Sequence, residues 1–203
     1  MIKNIVFDFG DIFINLDKKG FKEALQKLGI SQESEEMLPI LQQYEMGLIS
    51  TKDFIAYFQE KLAIPPEKLV EVWNSILLDF PTKRLKFIQE LSESKKYRLF
   101  LLSNTNDLHI SWVQKSWGMV LYNSFKVCFE QFYLSHEINF RKPNNTIYEF
   151  VLNTNNLIAK ETLFIDDTKE NTDAAHLLGI HVWNLVPGKE DVLELFTKKP
   201  HII

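Results

Sequence analysis

Residues 2–11 read IKNIVFDFGD, a short apolar segment that runs into an aspartate, a glycine and a second aspartate. The segment is rich in β-branched and aromatic residues and does not alternate with polar ones, so it predicts a strand, Ile2–Asp8, that is covered on both faces. Similar segments follow at Tyr97–Ser103, Thr162–Asp166 and Ile180–Asn184, with a weaker one at Cys128–Leu134. Helical patterns lie between them, and this alternation predicts an α/β fold with a parallel sheet.

The helical patterns in that alternation are Pro81–Ser94, Asn144–Leu152 and Asn171–Leu178. Residues 18–80 break the alternation because they carry helix signals only. The signals are Phe21–Leu28, Glu33–Met46 despite Pro39, a helix that Ser50 opens with Asp53 as a shortened capping box, and a helix from Pro66 to Phe80. A crossover needs only about a dozen residues. We therefore expect 18–80 to form a small inserted all-helical cap over the mouth of the sheet, and 1–17 with 81–203 to form the core.

Composition places the chain among ordinary globular proteins. Of 203 residues, 45% are hydrophobic, and 23 Lys and Arg against 27 Asp and Glu give a net charge of −4. This charge gives no sign of a nucleic-acid or membrane partner. The single cysteine, Cys128, excludes an intrachain disulfide and a zinc site built on several thiolates. With no signal peptide or membrane-spanning run in the sequence, we expect a cytoplasmic protein.

Polar side chains follow the predicted strands at the points where they end. In an open α/β sheet, ligands bind outside the carboxyl ends of the strands. The groups found there are Asp8, Gly10 and Asp11 after the first strand, Ser103 and Asn104 after the second, Lys142 after the weak candidate, and Asp166 and Asp167. Carboxylate oxygens suit Mg²⁺, whereas a hydroxyl, backbone amides and an ammonium suit a phosphate. The pattern therefore predicts a site for a magnesium ion and a phosphate.

Four motifs in this order resemble those of the haloacid dehalogenase-like (HAD) hydrolases. They are VFDFGDIF at 6–13, LLSNTN at 101–106, RKP at 141–143 and FIDDTKEN at 164–171. The resemblance implies a Rossmann-like core, here with the helical cap placed just after the first motif, and Mg²⁺-dependent phosphatase activity. Within the family, SNTNDLH, the RKP loop and the LGI at 178–180 look like bacterial sugar-1-phosphate phosphatases of the α-glucose-1-phosphate type.

The resemblance also implies a role for each motif residue. Asp8 would be the nucleophile that forms an aspartyl-phosphate, and Lys142 would balance the charge on Asp8 and on the transferring group. Ser103, the amide of Asn104 and Lys142 would hold the phosphate. The metal ligands would be Asp8, the backbone carbonyl of Gly10, Asp166 and Asp167. The expected partner is a small phosphorylated metabolite, and the expected assembly is a monomer or a weak homodimer.

Gly10 departs from the family pattern, because most phosphatases of the family carry a second aspartate there that protonates the leaving oxygen. A general acid of this kind raises the reaction rate about 10²–10⁴-fold. Asp11 is not expected to replace it, because the next residue on an extended segment points elsewhere. An anomeric hydroxyl leaves more easily than an ordinary alcohol. We therefore expect a preference for sugar 1-phosphates, acyl phosphates or aryl phosphates over sugar 6-phosphates and nucleotides.

Two other functions stay open. A 2-haloacid dehalogenase needs no acid, but those enzymes use an arginine near the start of the cap, and 18–80 contains none. A non-catalytic or regulatory protein that binds a phosphorylated metabolite is also compatible with Gly10.

The sequence leaves two alternatives open for His109 and two for the segment Tyr44–Ile49. His109 either packs between sheet and cap or approaches the crevice, and Tyr44–Ile49 is the candidate specificity loop, with an ordinary helix end at Gly47 as the alternative.

Overall fold

A five-stranded parallel sheet organises the chain. The computed structural model describes residues 1–199; residues 200–203, which belong to the predicted core range and include His201, lie outside the described residues. The strands are β1 (Asn4–Phe7), β2 (Arg98–Ser103), β3 (Gln131–Leu134), β4 (Thr162–Asp166) and β5 (His181–Asn184), in the order β3-β2-β1-β4-β5. The predicted α/β fold with a Rossmann-like parallel sheet is confirmed.

Strand register places the predicted site residues at one edge of the sheet. Phe7 of β1 pairs with Leu101 of β2 on one side and with Ile165 of β4 on the other. Residues that follow Phe7, Leu101 and Ile165 therefore share the carboxyl edge. β1 is the central strand, so Asp8 lies between the end of β2, which carries Ser103, and the end of β4, which carries Asp166.

Helices cover both faces of the sheet. The helices are α1 (Lys18–Lys27), α2 (Leu38–Glu45), α3 (Thr51–Leu62), α4 (Pro66–Asn74), α5 (Thr82–Glu93), α6 (Asp107–Trp117), α7 (Met119–Lys126), α8 (Ser135–Ile138), α9 (Asn145–Thr154), α10 (Lys169–Leu177) and α11 (Leu195–Lys198). Ile5 and Phe7 pack with α5, α6 and α7 on one face. Val6 packs with α9 and α10 on the other face. Burial on both sides explains why β1 lacks polar alternation.

The helices α1–α4, inserted between β1 and β2, have an apolar cluster of their own. Tyr44 stacks on Phe54 with ring centroids 4.0 Å apart, and Trp73 meets Phe54 edge-on at 4.7 Å. The same cluster includes Phe21 and Phe58. The predicted division into a core (1–17 and 81–203) and a cap (18–80) stays a prediction, which this separate cluster supports.

The two chain segments that connect α1–α4 to the sheet pair with each other. Asn15 donates its backbone N–H to the carbonyl of Asp79 at 2.9 Å, and Leu78 donates to the carbonyl of Asn15 at 3.0 Å. The predicted helix from Pro66 to Phe80 is therefore wrong in its second half: α4 ends at Asn74, and the following residues pair with 15–17 instead.

Other element boundaries also differ from the prediction. In the predicted run Glu33–Met46, the helix begins only at Leu38, because Pro39 is accommodated in the first turn of a helix and not in its interior. The strand predicted from Cys128 begins at Gln131. None of the helices within residues 1–199 has the length and apolar character needed to cross a membrane.

Candidate active site

A buried lysine joins two of the predicted aspartates. Lys142 is 1% exposed and donates from Nζ to Asp8 Oδ1 at 2.7 Å, to Asp166 Oδ2 at 2.7 Å and to the carbonyl oxygen of Leu102 at 2.8 Å. Asp166 is fully buried and Asp8 nearly so. These contacts use all three ammonium donors. The structure thus brings together the first, third and fourth motifs at the carboxyl edge of the sheet.

Negative charge exceeds positive charge in this cluster. Burial raises the pKa of Asp8 to about 7; Lys142 opposes the shift, whereas repulsion from Asp166 and Asp167 adds to it. Asp8, Asp166 and Asp167 each offer a carboxylate oxygen, and these oxygens lie within 4.8 Å of one another. Several carboxylates converging this closely form a ligand set for a divalent cation such as Mg²⁺.

The two neighbouring aspartates differ in how many bonds they already make. Asp166 Oδ1 accepts from the backbone N–H of Thr168 at 2.7 Å, and Asn171 Nδ2 lies 3.0–3.1 Å from both carboxylate oxygens. With Lys142 also bound, Asp166 is held in one orientation. Asp167 carries a single side-chain partner among the described residues, Lys18. Asp167 is therefore the freer of the two to bind a cation.

Lys18, at the start of α1, was not predicted and bridges two acidic residues. Its Nζ pairs with Asp167 and lies 2.9 Å from Asp11 Oδ2. Burial lowers the pKa of Lys18, but the bonds and charges of Asp167 and Asp11 outweigh it and raise that pKa to about 12. The ammonium therefore keeps its charge at neutral pH, and it links the inserted helices to the fourth motif.

Asp11 is bonded elsewhere and is not free to act as the acid, in line with the prediction, but the reason differs from the predicted one. The residue is not extended; its φ is 55°, in the left-handed region. Asp11 Oδ1 accepts the backbone N–H of Leu16 at 3.0 Å, and Oδ2 pairs with Lys18. These bonds fix the carboxylate in a turn of the chain.

The Asn104 side chain has a function that the sequence did not reveal. Its Oδ1 accepts the backbone N–H of Lys142 at 2.9 Å, and its Nδ2 donates to the Lys142 carbonyl at 2.9 Å. This reciprocal pair ties the lysine loop to the end of β2. Ser103 is 3% exposed at the same strand end, and within residues 1–199 its hydroxyl makes a single long contact, 3.4 Å, to the Asn104 carbonyl. Such a weakly engaged hydroxyl is available to a ligand.

Gly10 lines a cavity of about 160 Å³ between the sheet edge and α1–α4, together with Ser103 and Asn104. No backbone hydrogen bond among residues 1–199 ends on the Gly10 carbonyl, which leaves that oxygen available as the predicted metal ligand. A Cβ placed on Gly10 would meet Leu16 Cδ1 at 2.7 Å. The volume of the missing side chain is therefore partly occupied by Leu16.

His109 packs between α6 and α4, as the first of the two readings of the sequence expects. Its Nε2 lies 2.9 Å from the Trp73 carbonyl and its Nδ1 lies 3.2 Å from Asn106 Nδ2, while its ring stacks on Trp73 at 5.8 Å. Burial lowers the pKa of His109 to about 4. A neutral ring that donates from Nε2 and accepts at Nδ1 satisfies both contacts, although His109 also borders the cavity.

The loop Tyr44–Ile49 rests on the segment that follows β3. Gly47 has a φ of 64°, and a Cβ there would overlap the carbonyl oxygen of His136, so only glycine fits. The Ser135 hydroxyl donates to the Glu45 carbonyl at 2.6 Å. Glu45 is the member of this loop that borders the cavity, whereas the Tyr44 ring is buried among α1–α4.

Comparison with known proteins agrees with this geometry. The profile of the haloacid dehalogenase-like hydrolases matches residues 5–185. The D-ribitol-5-phosphate phosphatase of Bacteroides thetaiotaomicron is 29% identical over 94% of this chain and 95% of its own. A HAD family enzyme of the same organism, solved with magnesium and inorganic phosphate, is 36% identical over 97% of this chain and 100% of that chain, with a TM-score of 0.80.

A HAD-like family hydrolase of Porphyromonas gingivalis is 26% identical, covering 99% of this chain and 98% of that chain, with a TM-score of 0.84. These likenesses and the family profile extend over nearly the whole chain, and the four motifs lie within the matched range. The chain belongs to the haloacid dehalogenase-like hydrolase family.

Proposed function

We propose that the chain is a Mg²⁺-dependent phosphatase that hydrolyses a small phosphorylated carbohydrate through an aspartyl-phosphate. The observation that carries the proposal is the convergence of Asp8, Asp166 and Asp167 around one point, with Lys142 bonded to two of them. Family membership and the magnesium and phosphate complex of the 36% identical relative support the same chemistry.

In this proposal Asp8, Asp167 and the Gly10 carbonyl hold the ion, with Asp166 bound directly or through water. Mg²⁺ supplies charge neutralisation between an anionic nucleophile and a dianionic phosphate. An Asp8 oxygen attacks phosphorus as the bond to the leaving oxygen breaks, and water then cleaves the acyl phosphate to release inorganic phosphate and free Asp8. Lys142 fixes the rotation of the Asp8 carboxylate through Oδ1 and stabilises charge on the phosphoryl oxygens.

The phosphate sits, in our proposal, against the end of β2. Ser103 Oγ and the backbone N–H of Asn104 provide a hydroxyl and an amide donor for its oxygens, and Lys142 Nζ provides a positive charge that donates to them when it releases one of its three present acceptors. The reciprocal bonds between the Asn104 side chain and the Lys142 backbone hold two of these donors in a fixed relation. Fixed donors stabilise the transition state more than mobile ones do.

Two considerations bear on the substrate. The missing acid at Gly10 favours a good leaving group, and hence a sugar 1-phosphate over a sugar 6-phosphate. The name of the 29% identical relative points instead to a terminal phosphate of a sugar alcohol. Both agree on a carbohydrate phosphate, which is the class we propose, with the anomeric position preferred on leaving-group grounds.

The test is a panel of phosphorylated metabolites assayed with and without Mg²⁺. Turnover of p-nitrophenyl phosphate that requires Mg²⁺ and that disappears in Asp8→Asn supports the phosphatase. Folded wild-type protein that turns over no phosphate ester contradicts it. The ratio of kcat/KM for glucose 1-phosphate and glucose 6-phosphate tests the leaving-group argument, and equal values refute that argument alone.

A non-catalytic protein that binds a phosphorylated metabolite is the second candidate, and Gly10 is the observation that favours it. Phosphate-dependent stabilisation without turnover would identify such a protein. A 2-haloacid dehalogenase is disfavoured because residues 18–80 contain no arginine.

We further propose that the protein acts in the cytoplasm as a monomer or weak homodimer; its buried free Cys128 is compatible with a reducing compartment.

A further inference from the structure

The cavity beside Gly10 contains one charged side chain among its described lining residues, Glu45. We propose that Glu45 makes this site select phosphate esters whose organic part is uncharged and hydroxylated, by accepting hydrogen bonds from hydroxyl groups and repelling a second anionic group. The inference rests on the proposed phosphatase function and names the substrate class within it.

Glu45 is held in place at both its backbone and its side chain. It is the last residue of α2, and its carbonyl accepts the Ser135 hydroxyl. The Arg141 nitrogens Nε and Nη2 both lie 3.0 Å from the same carboxylate oxygen, Oε2. Oε1 has no hydrogen-bond partner among residues 1–199. Glu45 therefore offers a positioned acceptor with one oxygen free.

None of the described residues that line the cavity is a lysine or an arginine that could receive a second anionic group. Arg141 pairs with Glu45, and Lys142 is shared between Asp8 and Asp166. His109, which borders the cavity, is neutral at physiological pH because burial lowers its pKa to about 4. A carboxylate or second phosphate on the substrate would face Oε1 of Glu45, the oxygen that Arg141 does not bind, and like charges placed together disfavour binding.

The remaining lining suits a small neutral carbohydrate. Gln32 brings an amide to the cavity, and Phe21, Trp73 and Leu16 bring apolar surface. An aromatic and aliphatic wall covers the C–H faces of such a molecule, while amide and carboxylate oxygens meet its hydroxyls. The volume of about 160 Å³ is below the roughly 300–1,000 Å³ of pockets that take drug-sized ligands, which disfavours a nucleotide.

The experiment compares two substrates with the same carbon skeleton, glycerol 3-phosphate and 3-phosphoglycerate, which differ in a hydroxymethyl against a carboxylate. We expect the wild type with Mg²⁺ to prefer glycerol 3-phosphate in kcat/KM by about tenfold or more. Glu45→Gln should reduce this preference at least about fivefold, because it removes the charge and keeps an acceptor oxygen. Glu36→Gln removes the same charge from a surface pair with Lys61 outside the cavity lining, and it should leave the preference unchanged.

Acetyl phosphate reports the phosphoryl transfer separately, because its organic part is too small to reach far into the cavity. If Glu45→Gln turns over acetyl phosphate but keeps the wild-type preference, the role of Glu45 is refuted and the phosphatase stands. If the wild type shows no preference, or favours 3-phosphoglycerate, the inference fails whatever the variants do. If wild-type protein turns over none of these phosphates, the proposed function fails and the inference fails with it.

Discussion

Leu16 Cδ1 lies 2.7 Å from the point where a Cβ on Gly10 would stand. The leucine is partly buried, packs against the main apolar cluster and makes a backbone bridge with Leu77. The absence of a side chain at position 10 is thus matched by an apolar group that uses its space. An aspartate at position 10 would force Leu16 to move. Leu16 can do so by changing its rotamer, because the contacting atom is the far end of a flexible side chain.

Restoring an acid should be most effective when both positions change. Gly10→Asp alone overfills this region, and we expect it to lower the free energy of unfolding by about 1–3 kcal/mol. Gly10→Asp with Leu16→Ala should raise kcat on sugar 6-phosphates about tenfold or more, since poor leaving groups gain most from protonation. Turnover of p-nitrophenyl phosphate should change little. Leu16→Ala alone is the control, and equal kcat values in the control and the double variant would contradict the prediction.

Asp8→Asn should abolish turnover and at the same time stabilise the metal-free protein. The folded-state pKa of Asp8, about 7, lies above its unfolded value. The unfolded state therefore releases the proton first, and the resulting destabilisation grows as pH rises from about 4 and is complete above pH 7. We expect the variant to gain about 1 kcal/mol or more at pH 8, clearly less near pH 4.5 and almost nothing near pH 3. Urea unfolding of variant and wild type, with a chelator present, measures this gain at each pH. A variant less stable than the wild type at pH 8 would contradict the prediction.

His109 should make the protein less stable in mild acid. Its folded-state pKa of about 4 lies below the unfolded value, so the unfolded state binds more protons between these pKa values. The contribution is fully present above about pH 6.5 and is lost as the pH falls toward 4, by an amount on the order of 2–3 kcal/mol. His109→Gln lacks this titration. The difference in unfolding free energy between variant and wild type, measured from pH 7.5 to 4.5, should therefore narrow or reverse; a constant difference would contradict the prediction.

Lys18 should compete with the divalent ion for Asp167. Its ammonium pairs with Asp167 and Asp11 and stays charged at neutral pH. Lys18→Met removes a cation next to the proposed ligands, and we expect Mg²⁺ to bind about 3–10-fold more tightly, an effect of roughly 1 kcal/mol. Lys19→Met is the matched control, because Lys19 is exposed and lies 4.0 Å from Glu23. Titration calorimetry gives both affinities, and weaker binding in Lys18→Met would mean that Lys18 positions Asp167.

Much of the site was predictable because a parallel sheet collects strand ends at one edge. Asp8, Ser103 and Asp166 each follow or close a strong apolar strand, so their convergence required only the fold class. Lys142 follows the weakest strand candidate, and its assignment depended on the family resemblance. The structure places its ammonium between Asp8 and Asp166, at hydrogen-bond distance from both.

Lys18 and Asn171 were not predicted as parts of the site, and Lys18 acts across a long stretch of chain. Lys18 reaches Asp167, 149 positions away, and a lysine at the start of a helix gives no local signal of such a partner. Asn171 lies in the fourth motif, close in sequence to Asp166, but no role in the site was assigned to it. The end of α4 at Asn74 was mispredicted because pairing between the two connecting segments, a tertiary effect, overrides the helical pattern of the residues that follow.

The central position of β1 also sets the order of events while the chain is being synthesised. β1 leaves the ribosome first, yet its neighbours β2 and β4 begin only at Arg98 and Thr162. The nascent chain can meanwhile pack α1–α4, whose apolar cluster is formed within residues 21–76 apart from a peripheral contact with Leu108. The acidic cluster is completed only when Asp167 has emerged, so metal bound there cannot assist the earlier packing of α1–α4.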